Sequence, residues 1–225
     1  MWNFKKDIFR VSNDNGVLVD LCYDAFSSSG ACNCGQTVVL DPFDYLIITY
    51  QYRSDDFARD LDSATVFANT GSVEDNKIVG CGQNSSYITP DGSRTINNAY
   101  LYQAGDDVGN GLGESIVVNF KQLELDNVSV NDDVRVELYA GWCPGHGTQT
   151  FPDLTNVSVT SYSGGTMSII NNVIVSDGAV VDGPFESNNI PVIQGCCSVN
   201  PVTGKTHIGT INYNLVTKVS NISFY

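Results

Sequence analysis

The chain of 225 residues carries 11 Lys+Arg against 25 Asp+Glu, a formal charge of −14, with 42% hydrophobic and only 16% charged residues. That apolar share is ample for a core and excludes wholesale disorder. The acidity excludes DNA or RNA as the main partner and an anionic membrane as a docking surface, because both call for a Lys/Arg-rich face. The acid is 20 Asp against 5 Glu, and Asp, Asn, Ser and Gly serve turns and caps where Glu and Lys would favour helices. The composition therefore predicts strands and turns.

Taken in chain order, the strand-like segments are 17–21, 37–40, 45–50, 64–68, 100–102, 115–120, 134–140, 155–162, 166–170, 172–175 and 208–216. Several alternate with period two: Val134, Val136, Leu138 and Ala140 share one face, as do Val157 and Val159. Such alternation marks antiparallel sheets with one wet side. The separators carry turn chemistry, among them Asn13-Asp14-Asn15-Gly16, Ser163-Gly164-Gly165 and Ser176-Asp177-Gly178. No segment sustains a helical stripe. The expectation is an all-β protein, an antiparallel β-sandwich of jelly-roll type, with extra N- and C-terminal strands or arms. Its predicted parts are an arm over 1–40, a sandwich core over 41–182 and further strands or an arm over 183–225, with 183–189 as a connector.

No stretch approaches the ~18–20 apolar residues of a membrane-spanning helix. The start, Met1-Trp2-Asn3-Phe4-Lys5-Lys6-Asp7, lacks a secretory h-region. The sequence is thus expected to be made in a cytoplasm without a signal peptide, with a virion as one destination. Its seven cysteines are odd in number. Neither Cys32-Asn33-Cys34 nor Cys196-Cys197 has the spacing of common structural zinc sites, so they read as small apolar thiols.

Two acidic segments stand out: 54–63, which ends in Asp60-Leu61-Asp62-Ser63, and 105–114, which holds Asp106, Asp107, four glycines and Glu114. Asp60 and Asp62 straddle one residue, so in an extended backbone both carboxylates point to one side. Crowded carboxylates without a cation would raise their own pKa values and cost stability, which makes a counter-ion the simplest expectation. Hard oxygen donors of this kind suit Ca²⁺, which takes 6–8 of them.

The order of these features resembles the tellurite-resistance TerD family. The matching pieces are Asp60-Leu61-Asp62-Ser63-Ala64, then Gly105-Asp106-Asp107 through Gly113-Glu114-Ser115-Ile116, then Asp133-Val134-Arg135-Val136-Glu137-Leu138, over roughly residues 45–180. The resemblance implies a calcium-binding β-sandwich with Asp60, Asp62, Asp106 and Asp107 as ligands, joined by Glu114. Departures are Asn110 and Leu112 in the glycine segment, the longer stretch 71–98, and Gly141-Trp142-Cys143 where the family often ends a strand with His-Asp.

Catalysis is not expected. Only His146 and His207 could serve as a base, no G-x-S-x-G motif accompanies them, and no cofactor fingerprint is present. The expected role is a structural or interaction protein built on a Ca²⁺-binding β-sandwich, an accessory or surface component of a large assembly such as a phage or virus particle. Its partners would be other protein subunits, itself among them, through apolar ends that include Trp2, Phe4, Ile222, Phe224 and Tyr225. The alternatives are a cytoplasmic TerD-like stress-response protein and a calcium-dependent glycan-binding module.

Overall fold

A computed structural model describes residues 8–12, 18–22, 37–52, 60–72, 74–80, 87–90, 94–105, 113–129, 131–143, 154–192, 202 and 204–225. Strands in chain order are β1 (Ile8–Ser12), β2 (Leu18–Cys22), β3 (Thr37–Leu40), β4 (Tyr45–Tyr52), β5 (Asp60–Ala68), β6 (Ile78–Gly80), β7 (Tyr87–Ile88), β8 (Leu101–Gln103) and β9 (Glu114–Asn119). The helix α1 (Phe120–Leu125) comes next. It leads to β10 (Asp133–Cys143), β11 (Leu154–Ser163), β12 (Met167–Ile170), β13 (Val173–Ser176), β14 (Ala179–Pro191), β15 (Thr206–Asn214) and β16 (Ser220–Phe224).

These strands form an antiparallel β-sandwich. One six-stranded sheet has the order β3-β16-β15-β10-β5-β6 and the other β14-β11-β4-β9-β8-β7; β1-β2 and β12-β13 are separate hairpins. Alternation builds the core as the sequence predicts. Val134, Val136, Leu138, Ala140 and Trp142 of β10 point inward, against Leu46, Ile48 and Tyr50 of β4 and Val157 and Val159 of β11. The opposite face of the second sheet is not wet throughout. Tyr45 and Ile47 of β4 and Val117 of β9 are covered by Met167 and Ile174 of the β12-β13 hairpin, which makes a second small core.

The C-terminal strands, expected as an addition to the core, occupy the interior of the first sheet. There β15 pairs with β10, and β16 lies between β15 and β3. The expected connector 183–189 falls inside β14, a thirteen-residue edge strand. Proline is tolerated there because an edge strand can leave one row of backbone groups unpaired. The helix, also unexpected, starts where Asn119 caps it. The Asn119 side-chain oxygen accepts from the Gln122 backbone N–H at 3.0 Å, and Phe120 and Leu123, three apart, are buried on one face.

Candidate functional site

The two sheets meet at one end in a set of buried polar groups. Glu114 opens β9, opposite Tyr50 of β4. Asp62 lies on β5 opposite Gly141 of β10, and Lys205 immediately precedes β15. Asp62 and Glu114 are fully buried and Lys205 is 7% exposed. Charged residues are almost never buried to this degree unless paired. Glu114 accepts a 2.7 Å hydrogen bond from the Ser63 backbone N–H and a second, short one from the Ser63 hydroxyl, so the carboxylate of one sheet is clamped to a strand of the other.

Glycine shapes this end. Gly113 has φ +84°, and a Cβ there would lie 1.9 Å from the Tyr50 carbonyl oxygen. Only glycine permits that approach of β9 to β4, which sets the position of Glu114.

The electrostatics follow from burial. Loss of water holds the Lys205 ammonium below the ordinary lysine range, while the charges of Asp62 and then Glu114 pull it back up. Burial pushes the Tyr50 hydroxyl far above the usual tyrosine range; the Thr65 hydroxyl opposes this and the Glu114 charge adds to it. Lys205 Nζ makes no hydrogen bond among the described residues.

Of the five expected calcium ligands, the structure brings Asp62 and Glu114 to this one end. Asp60 opens β5 opposite Cys143, and only its backbone is described. Asp106 and Asp107 lie outside the described residues, as does His146. Among the described residues no group of three or more His, Cys, Asp or Glu is arranged to hold a metal ion. The sequence pattern pointed to an external cation and did not show that Lys205 would be buried at the same end.

His207, the other base considered, sits on the outer face of the first sheet. Its ring stacks on Tyr139 at 4.7 Å and leans against Tyr225 at 4.9 Å. A ring nitrogen faces the Thr210 hydroxyl at 3.3 Å.

No family model matches the sequence, and no curated protein does. One solved structure, the protein of unknown function SAV2460, aligns with 82% of this chain and 91% of its own at 12% identity, with a TM-score of 0.41, too distant a likeness to argue from.

Proposed function

We propose that the protein is a non-catalytic structural or interaction component of a larger assembly, a virus or phage particle being one such setting. The observation that carries this reading is a group of large apolar side chains left in water at the helix end of the sandwich. Leu125 of α1 and Val216 and Val219 beside the β15-β16 turn are 70%, 70% and 52% exposed. The two elements adjoin, because Glu124 accepts from the Tyr213 hydroxyl and pairs with Lys218. Single exposed apolar residues are ordinary, but a group of them at one place marks a contact surface. The charged cluster at the opposite end offers no such surface, since both its carboxylates are sealed from solvent.

The test is size-exclusion chromatography with light scattering over a range of concentrations, on the wild type and on a Leu125→Asp/Val216→Asp variant. Self-association in the wild type that the variant abolishes is the expected result. A wild type that stays monomeric at every concentration counts against self-assembly through this end.

Calcium remains a second reading, favoured by two buried carboxylates, Asp62 and Glu114, at one end of the sandwich and opposed by the positive charge of Lys205 near them. It is checked by thermal melting after EDTA treatment, with and without added CaCl₂. A rise in Tm that Asp62→Asn removes supports a bound ion, because a ligand held only by the folded state stabilises it. An unchanged Tm sinks the idea.

A further inference from the structure

The space between the two sheets is apolar along most of its length and polar at the Glu114 end. On β5, Leu61 and Phe67 belong to the core, and Ser63 and Thr65 fall at the same alternate positions between them. From the other sheet, Tyr50 of β4 pairs with Glu114 of β9. Thr155 lies on β11, two residues from the Val157 that pairs with Tyr50. Gln103 lies on β8 opposite Ile116, two residues from Glu114. All six polar side chains are more than nine-tenths buried. They form one layer that crosses β11, β4, β9 and β8 and is closed by β5.

Contacts hold the middle of this layer together. Glu114 accepts from the backbone N–H and the hydroxyl of Ser63. The Thr65 hydroxyl and the Glu114 charge both act on the Tyr50 hydroxyl, so these three groups converge. Yet Tyr50 OH, Thr65 Oγ1, Thr155 Oγ1 and Gln103 Nε2 have no hydrogen-bond partner among the described residues. Native proteins pair buried polar groups with other protein groups or with ordered water. A polar site between sheets does not stay dry as an apolar one does.

We propose that this layer is an internal hydration site, whose central water accepts from the Tyr50 and Thr65 hydroxyls and donates to the Glu114 carboxylate. Three hydrogen bonds are the usual complement of a buried water. A direct bond between the two hydroxyls would use one donor and leave the other unanswered, since each has a single O–H. A carboxylate accepts at about four sites, so Glu114 can take the water beside both donors of Ser63. The nature of the unpartnered atoms selects water over a metal ion. They are hydroxyls and an amide nitrogen, and the amide nitrogen has hydrogens to give but no lone pair for a cation. Thr155 and Gln103 stand at the two flanks, where further waters extend the layer across the sheet. The central water ties Thr65 of one sheet to Tyr50 and Glu114 of the other, and it returns to Glu114 part of the solvation that burial removes.

The experiment is a crystal structure of the full chain at a resolution that shows ordered water. The expected result is a density peak about 2.7–3.2 Å from the Tyr50 and Thr65 hydroxyl oxygens and a Glu114 carboxylate oxygen. Two hydroxyls bonded directly to each other with no peak between them overturn the site. A peak with contacts of about 2.3–2.6 Å would be a cation of the calcium type, and overturns it equally. Magnetic relaxation dispersion of solvent water supplies a second reading in solution. Long-lived internal water should be detected in the wild type and should fall by about one molecule in Thr65→Val, which keeps the side-chain shape. An unchanged dispersion in a folded Thr65→Val variant removes Thr65 from the site, and the wild-type density decides the matter even where the variant fails to fold.

Discussion

At the scale of single residues, the charged end of the sandwich is built by a few groups that tolerate little change. Glu114 receives both donors of Ser63, and neither donor reaches bulk solvent. Glu114→Ala is therefore expected to cost about 3 kcal/mol in urea denaturation, the usual loss for buried donors stripped of a charged acceptor. Two glycines separate backbone strain from steric exclusion. Gly113 and Gly164 both have positive φ, +84° and +63°, but a Cβ at Gly164 meets nothing within 4 Å. Gly164→Ala should cost only the left-handed backbone penalty, roughly 1–2 kcal/mol. Gly113→Ala should cost clearly more, because it drives a methyl group into the Tyr50 carbonyl. Equal losses in the two variants would show that β9 can move away from β4. The carboxylates at 62 and 114 were legible in the sequence as acidic residues beside apolar strands. Lys205 was not, because its place at this end is set by the docking of β15 on β10 and not by sequence spacing.

At the scale of elements, alternation located β10 and β11, and continuous apolar runs located β4 and β9, which are buried on both faces, all to within a few residues. It failed for β14, whose Gly183-Pro184 looks like a break until the strand is seen to lie on an edge. It missed β16 too, where only Ile222 and Phe224 of five residues are apolar. The β12-β13 hairpin was found as strands but not as a cover. Met167 and Ile174 bury the outer side of Tyr45, Ile47 and Val117, and the Tyr45 hydroxyl fastens the hairpin by donating to the Gly164 carbonyl at 2.9 Å. Asp44 adds a second tie, accepting from the Gly164 N–H at 2.7 Å and from Lys121 at 3.1 Å. Ile174→Ala should lower stability by about 2–4 kcal/mol. It should also raise amide hydrogen exchange in the hairpin before the main sheets are affected. Uniform loss of protection across both sheets would show that the hairpin does not open by itself.

At the scale of the whole molecule, charge and burial together predict a particular weakness in alkali. Burial and the neighbouring Glu137 carboxylate raise the Tyr139 hydroxyl to about 12, and Tyr213 and Tyr50 are raised as well. A tyrosine whose folded pKa exceeds its unfolded value near 10 keeps its proton longer when folded. Its contribution is fully present below pH 10 and is lost as pH rises through the folded value. Lys205 acts in the opposite sense: its lowered pKa is a cost at neutral pH that is relieved as pH rises. The tyrosine contributions predict that the midpoint of urea unfolding falls between pH 10 and 12, and less steeply in Tyr139→Phe. A midpoint that is flat across that range would refute the tyrosine account.

The sequence by itself determined the class of fold. Apolar residues at every second position can be buried only by pairing strands into sheets and stacking those sheets, and an Asp-rich, Glu-poor chain has little else to form. It also singled out Asp62 and Glu114, which the fold buries completely. Only the tertiary structure decided what lies near them. Strand order sets which distant positions come to one place, and the order β15-β10-β5 carries Lys205, just before β15, to the end of the first sheet where Asp62 lies. That placement joins residues more than 140 positions apart, which no local pattern could reveal.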